Sequence, residues 1–148
     1  MINHLVQLIQ TVALVFGGGF ALYQYRKQQK FNRLQNLFKL FAIFRDNDAI
    51  LSLFDLLNSN SLMEVENTSA KTKLAYLALI EEVALFTGID EVDKHQAKYM
   101  FQWHFHYVYN DSATSLAFWK NLGGKEEMNA DYWSQSRHIA NEFNPMKK

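Results

Sequence analysis

LVQLIQTVALVFGGGFALYQY is the stretch that decides the fold, and it covers residues 5–25. As a helix these 21 residues span about 31 Å, at about 1.5 Å per residue. The hydrocarbon core of a bilayer is about 30 Å thick, so the length matches. The centre, residues 12–22, holds only apolar residues and glycine, and Tyr23 and Tyr25 follow where an interfacial aromatic belt is expected. The stretch predicts one membrane-spanning helix, with residues 1–25 as the anchor.

Two other interpretations of this stretch fit the sequence less well. A cleaved signal peptide begins with basic residues and ends at a small-residue cleavage site. Here the basic residues follow the apolar stretch, and the three glycines lie in its middle. A buried helix of a soluble protein shows a polar face, and residues 12–22 have none.

The charges of the chain are divided unevenly along its length. Residues 1–25 carry none, residues 26–45 carry six bases and no acid, and residues 46–148 carry nine bases against 15 acids. The basic excess follows the predicted span, so the positive-inside rule places the N-terminus outside and the C-terminal part in the cytosol. The expected location is the inner (cytoplasmic) membrane, with a single pass.

Helical periodicity dominates the rest of the chain. Proline occurs once, as Pro145, and apolar residues recur at spacings of three and four. The expected fold is all-α, with one N-terminal transmembrane helix followed by a small cytosolic helical domain. A basic amphipathic neck helix is expected over residues 26–45 and the cytosolic domain over residues 46–148. The neck presents one apolar face, made of Phe31, Leu34, Leu37 or Phe38, Phe41 and Phe44.

Breaks between the later helices are marked by capping and turn residues. Residues 46–48, Asp-Asn-Asp, are expected to end the neck and cap the next helix. A polar connection is expected over residues 64–69, followed by a helix to residue 87 that Gly88 terminates. Asp90 is expected to cap the helix after that, with Asp93 as a carboxylate in its first turn. A turn at residues 110–112 and a break at residues 123–124 leave a last helix over residues 129–143.

The predicted anchor and the predicted neck each have a face whose residues indicate what it contacts. Ala13, Gly17 and Ala21 form a small-xxx-small stripe, which lets helices approach closely in lipid and predicts transmembrane packing between copies. The glycines also fit a merely flexible span. The basic face of the neck fits contact with anionic headgroups, and it equally fits a solvated face.

Enzymatic and metal chemistry find little support in the sequence. There is no cysteine, which excludes disulfides, thiolate metal sites and thiol nucleophiles. His104 and His106 are two residues apart and diverge on a helix, whereas metal ligands converge at a spacing of three or four. No dinucleotide or phosphate-binding glycine motif is present, and Glu81 and Glu82 are adjacent and diverge. We expect no catalytic residues, no metal and no cofactor.

One helical stripe has a composition suited to a ligand. Two cations and two hydrogen-bonding groups recur every four residues with aromatic rings beside them, so they could hold phosphates while the rings stack on bases. A second cationic cluster lies close to Trp133. The candidate ligand-binding residues are Lys94, Lys98, Gln102 and His106 on the stripe, Tyr99 and Trp103 beside it, and Arg137 and His138 in the second cluster. An ordinary surface stripe with aromatic residues in the core fits the same pattern.

The segments AYLALIEEVALFTGIDEVDKHQAKYMFQWHFHYVYND (residues 75–111) and YWSQSRHIANEF (residues 132–143) carry a resemblance. With the anchor and basic neck, they resemble small membrane-anchored bacterial helical proteins, and most of all the small membrane effectors of type III CRISPR antiviral defence. The likeness covers roughly residues 5–143 in layout, and it matches no ligand motif residue by residue.

The resemblance implies a function for the whole chain. It implies a tetramer whose cytosolic domain binds the second messenger cyclic tetra-adenylate, a cyclic oligoadenylate, and then perturbs the membrane lipid. A cyclic oligonucleotide suits a symmetric homo-oligomer, and the expected partner is such a ligand and not duplex nucleic acid. The alternatives are a membrane-anchored scaffold that binds a protein partner through its aromatic helix, and a hydrolase whose base and nucleophile the sequence does not show.

Overall fold

The computed structural model describes residues 2–146, without the side chains of residues 2–6, 8 and 9. The predicted anchor and body therefore extend beyond the described part at both ends. The all-α prediction is confirmed, since residues 2–146 form helices and turns without a strand. The helices are α1 (Ile2–Arg45), α2 (Asp48–Asn58), α3 (Leu62–Asn67), α4 (Ala70–Gly88), α5 (Lys94–Phe105), α6 (Ser112–Trp119), α7 (Lys125–Met128) and α8 (Ser134–Phe143). A π-helical segment, His106–Asn110, continues α5, and short 3-10 turns cover Lys120–Leu122 and Asp131–Trp133.

Side-chain caps begin α2 and α5, and the sequence predicts only the first of them correctly. The Asn47 side chain accepts the N–H of Ile50 at 3.2 Å and caps α2, which confirms the break over residues 46–48. Asp93 accepts the N–H of Gln96 at 3.0 Å and caps α5, so the prediction of Asp90 as the cap of this helix is wrong. Gly88 was expected just past the end of α4 and instead is its last residue. The left-handed position after this helix belongs to Asp90, whose φ is 64°.

The polar connection expected over residues 64–69 is wrong, because α3 occupies Leu62–Asn67. Val65 is fully buried, and Leu62 packs partly buried against the core. Two apolar residues one turn apart hold this short segment against α6, and that contact overrides the polar composition of its neighbours.

The core forms around α4, which contacts α1, α2, α5 and α8. Tyr76, Leu77, Ile80 and Val83 of α4 are all fully buried. The end of α1 contributes Leu37, Leu40 and Phe44, each at most 4% exposed. Helix α1 therefore belongs to the body over its last turns.

The remainder of α1 projects from the body as one unbroken helix. Every side chain from residue 10 to residue 32 is exposed. The backbone has no break at the predicted boundary between anchor and neck, residues 25 and 26, because α1 is continuous there. The single apolar face predicted for the neck divides in two, because Leu37 and Phe44 pack into the core while Phe31 and Phe38 remain 54% and 55% exposed.

Candidate functional site

The predicted ligand residues come from α5 and α8, which pack side by side. Lys94 Nζ lies 2.5 Å from Oε2 of Glu142, and Lys98 Nζ donates to the backbone oxygen of Glu142 at 3.3 Å. His138 Nε2 lies 3.6 Å from Oε1 of the same glutamate. The structure thus brings Lys94 and Lys98 together with the distant His138 around Glu142, an acid that is not among the residues predicted from the sequence.

Glu142 is the electrostatic centre of this α5–α8 surface. The hydrogen bond from Lys94 lowers the pKa of the Glu142 carboxyl below its ordinary value, and the charges of Lys94, His138 and Lys98 act in the same direction. The carboxylate therefore stays ionised and is paired with Lys94, whereas Lys98 is bonded to the backbone oxygen of the same residue.

The rest of the predicted stripe does not share one open face. Gln102 is half-buried, and His106 is only 5% exposed. His106 begins the π-helical segment, where an extra residue per turn shifts the register relative to α5. Its ring meets Trp103 nearly at a right angle with centroids 5.5 Å apart, and its Nδ1 has no hydrogen-bond partner within the described residues. His106 thus lies beneath the surface that Lys94 and Lys98 occupy.

Arg137 is held away from the Glu142 cluster. Its Nη1 donates to the backbone oxygen of Met128 at 3.4 Å and to Oδ1 of Asn129 at 3.2 Å. These contacts tie α8 to the end of α7. Arg137 and His138, predicted as one cluster, therefore serve different neighbours.

Two aromatic residues of the predicted site are accessible. Tyr99 is 81% exposed and Trp103 is 40% exposed. The Trp103 ring is stacked on Tyr107 with centroids 5.9 Å apart, and the Tyr107 hydroxyl donates to Oδ1 of Asn58 at 2.8 Å. The stacking and the hydrogen bond fix the indole in place, so it offers a preformed flat surface to a base or to a protein side chain.

His104 lies in the core. It is 8% exposed, its Nδ1 is 2.7 Å from the hydroxyl of the fully buried Tyr76, and its ring stacks on Phe54 at 4.1 Å. Burial lowers the pKa of His104 to about 3, so the ring is neutral at ordinary pH. Within residues 2–146, no group of three or more metal-ligating side chains could hold an ion.

A small cavity adjoins His104 at the junction of α1 and α2. Its volume is about 150 Å³, and its walls are mainly apolar. Phe44 and Arg45 of α1 both line the cavity. The cavity lies at the C-terminal end of α1, where the chain passes into α2.

A groove of about 960 Å³ lies over α6. Leu116, on its floor, is 64% exposed, and Lys120 at its edge forms an ion pair with Glu66 of α3. Lys73 is fully buried next to the groove. Its Nζ donates to the backbone oxygens of two lining residues, Glu66 at 3.1 Å and Ala117 at 3.3 Å. Burial lowers the pKa of this ammonium.

No local sequence pattern predicts this groove, because its lining residues are spread from residue 62 to residue 128. The one local signal was the Gly123-Gly124 pair. Both glycines have positive φ, 100° and 69°, which turns the chain at the end of the groove.

The projecting part of α1 carries large apolar side chains without neighbours. Leu14 is 76% exposed, Phe16 74% and Phe20 63%. The predicted packing stripe of Ala13, Gly17 and Ala21 lies in this part, and a Cβ added at Gly17 would meet no atom within 4 Å. The stripe is therefore open to a second helix.

The length and hydropathy of the described helices give a separate result. Within the part of the chain that the structure describes, no helix is long and apolar enough to cross a membrane. The side chains of residues 2–6, 8 and 9, which belong to the first turns of the predicted anchor, lie outside the described part.

Comparison with known proteins finds no match to this chain among protein families, curated proteins or solved structures.

Proposed function

We propose that this chain is a membrane-anchored effector without enzymatic activity, whose body binds a second messenger and acts on the bilayer through α1. One observation carries the proposal. Helix α1 runs without a break from exposed apolar residues such as Leu14 and Phe16 to Leu40 and Phe44 in the core. A change in the body that moves Phe44 would therefore move the helix as a whole.

The exposed apolar residues support insertion into lipid. Burying one such side chain is worth about 1.5–3 kcal/mol relative to leaving it in water. Leu14, Phe16 and Phe20 are each more than 60% exposed, so the isolated chain would hold several such side chains in water. A bilayer around residues 5–25 removes that cost, and Tyr23 and Tyr25 would then lie at its boundary.

The basic residues below this boundary support the orientation. Arg26, Lys27 and Lys30 are all exposed and follow the two tyrosines directly. The proposed topology is a single pass through the inner membrane, with the N-terminus outside and the body in the cytosol.

The anchoring step has its own test. The full chain should remain in the membrane fraction after washing with alkaline carbonate, and Leu14→Lys with Phe16→Lys should release it because two charges would enter the bilayer core. A wild-type chain that washes off would refute anchoring.

We propose a cyclic oligoadenylate such as cyclic tetra-adenylate as the ligand, bound by a homotetramer. Helix α5 supports this choice, because its Lys94 and Lys98 offer cations and its Tyr99 and Trp103 offer exposed rings. The Glu142 carboxylate pairs with Lys94 when no ligand is bound, so ligand phosphates and the carboxylate compete for this cation.

That competition gives a sharp test by calorimetry of the full chain in detergent. Glu142→Gln should tighten binding of cyclic tetra-adenylate by up to about five-fold, the equivalent of about 1 kcal/mol for a partly exposed ion pair. Glu126→Gln removes the same charge from an exposed position on α7 and serves as the control. Lys94→Glu with Lys98→Glu should abolish binding.

Two results would refute the ligand proposal. One is the absence of heat from the wild-type chain at micromolar protein. The other is equal affinity of Glu142→Gln and Glu126→Gln, which would remove the α5–α8 surface from the binding event.

A second candidate function is a membrane-anchored scaffold, and the exposure of Tyr99 and Trp103 favours it. Exposed aromatic residues on a rigid helix are typical centres of protein interfaces. A pulldown with the full chain should then recover a stoichiometric partner that is lost with Trp103→Ala and unaffected by Lys98→Glu. Loss of the partner with Lys98→Glu would favour the charged ligand instead.

A further inference from the structure

After residue 23, the side of α1 that does not pack against the body carries a regular pattern of residues. The body packs against the side that carries Leu37, Leu40 and Phe44. Phe31 and Phe38 lie on the other side and are more than half exposed. They belong to a seam of uncharged residues, made of Gln24, Gln28, Phe31, Gln35, Phe38 and Ala42.

The spacing along this seam alternates strictly between four and three residues, which is the repeat of a coiled coil. A repeat of 3.5 residues drifts by about 20° per heptad on a straight helix, so a partner helix follows it with a left-handed supercoil. The same alternation joins Gln24 to Ala21 and Gly17 above it. The seam is thus continuous with the small-residue stripe of the predicted anchor.

The charges beside the seam are compatible with a second identical helix. Lys27 and Lys39 flank the seam, while Arg26, Lys30 and Arg33 point toward the body side of α1. In a parallel pair in register, Lys27 would face Asn32 of the second copy, and Lys39 would face Leu34. Over residues 24–42 no two lysines or arginines meet across such a pair. The next position of the repeat is Arg45, the last residue of α1, and its charge is paired with Asp46 at 2.9 Å.

We propose that this seam packs against the same seam of a second copy of the chain, as a parallel two-stranded coiled coil, so that the proposed homotetramer consists of two such pairs. The parallel direction rests on the proposed anchoring, since both helices then leave the same membrane face. Phe31 and Phe38 exchange contact with water for contact with the opposite rings and helix. The glutamines between them set the register, as polar residues at core positions of coiled coils do.

The chain lends itself to a direct test because it has no cysteine. Single-cysteine variants of the full chain in native membranes, treated with a mild oxidant, report which positions of two copies meet. Gln28→Cys and Gln35→Cys lie on the seam and should form disulfide-linked dimers. Gln29→Cys is the matched control, since it replaces the same residue type at an exposed position about 100° around the helix.

The expected result is cross-linking at least several-fold faster at Gln28→Cys and Gln35→Cys than at Gln29→Cys. Adding Phe31→Ala and Phe38→Ala should slow the cross-linking of Gln28→Cys. Equal rates at Gln28→Cys and Gln29→Cys, or no dimer at either seam position, would overturn the proposal, and the second result would mean that headgroups or solvent cover the seam.

Fractionation of the same samples separates this inference from the anchoring. If the seam pattern appears in chains recovered outside the membrane, the coiled coil stands and the anchor does not. If the chains are membrane-bound but show no seam pattern, the anchor stands and the coiled coil is refuted.

Discussion

Mild acid should destabilise the body through one residue, His104. The ring is buried between Phe54, at 4.1 Å between centroids, and Phe44 of α1, at 4.7 Å. Burial lowers its pKa to about 3, whereas a histidine in the unfolded chain has a pKa of about 6.5. The perturbation is a shift from about pH 7.5 to about pH 5, where the unfolded chain takes up a proton at this ring and the folded chain does not.

The sign and the size of the effect follow from that difference. Since the unfolded state binds more protons between the two pKa values, the free energy of unfolding falls as the pH falls below about 6.5. Each pH unit in this window is worth about 1.4 kcal/mol, so the shift to about pH 5 costs about 2 kcal/mol from His104 alone. That is a large fraction of the stability of a small domain.

The assay is urea denaturation of the full chain in detergent, followed by circular dichroism at several pH values. His104→Asn is the control, because its side chain can keep a hydrogen bond to Tyr76 and does not titrate. Wild type should lose about 2 kcal/mol more than the variant between the two pH values. Parallel loss of stability in the two proteins would refute the assignment of the acid sensitivity to His104.

Two further predictions concern hydrogen bonds between helices, both measured by the same denaturation assay. Tyr76→Phe should cost about 1–3 kcal/mol, because His104 Nδ1 loses its partner at 2.7 Å inside the core, and unchanged stability would show that this bond contributes nothing. Glu81→Ala should cost about 0.5–2 kcal/mol, because the carboxylate of Glu81 accepts the N–H of Ser136 at 2.9 Å and caps α8 from α4. Glu82→Ala, whose side chain makes no hydrogen bond within the described residues, should change stability by less than about 0.5 kcal/mol, and equal losses in the two variants would refute the capping role.

The features that the sequence predicts correctly are those set by neighbouring residues. The cap at Asn47 needs only the next three residues, so the local sequence predicts the break over residues 46–48. The features that it misses depend on distant contacts. Lys94 meets Glu142, 48 residues away, only because α5 packs on α8.

The neck shows the same division within one helix. Periodicity identifies the apolar residues of α1, but they cover an arc too wide for a single contact. Leu37 faces the body and Phe38, the next residue, faces away, and only the packing of α1 on the body decides between them. The small segment α3 was missed for a related reason, since Val65 is held by a helix that follows it in sequence.

The bases of the neck also divide into two groups with different roles. Arg33 lies 3.6 Å from Asp90 of the body, and Asn36 donates to Glu91 at 3.3 Å, so docking of α1 begins at residue 33. If the bilayer ends at Tyr25, the helix spans about 12 Å before it reaches the body. This exceeds the screening length of about 8 Å at physiological ionic strength, so the acidic body is largely shielded from anionic headgroups. The three bases in the gap, residues 26, 27 and 30, are then available to the lipid headgroups, whereas Arg33 pairs with the body.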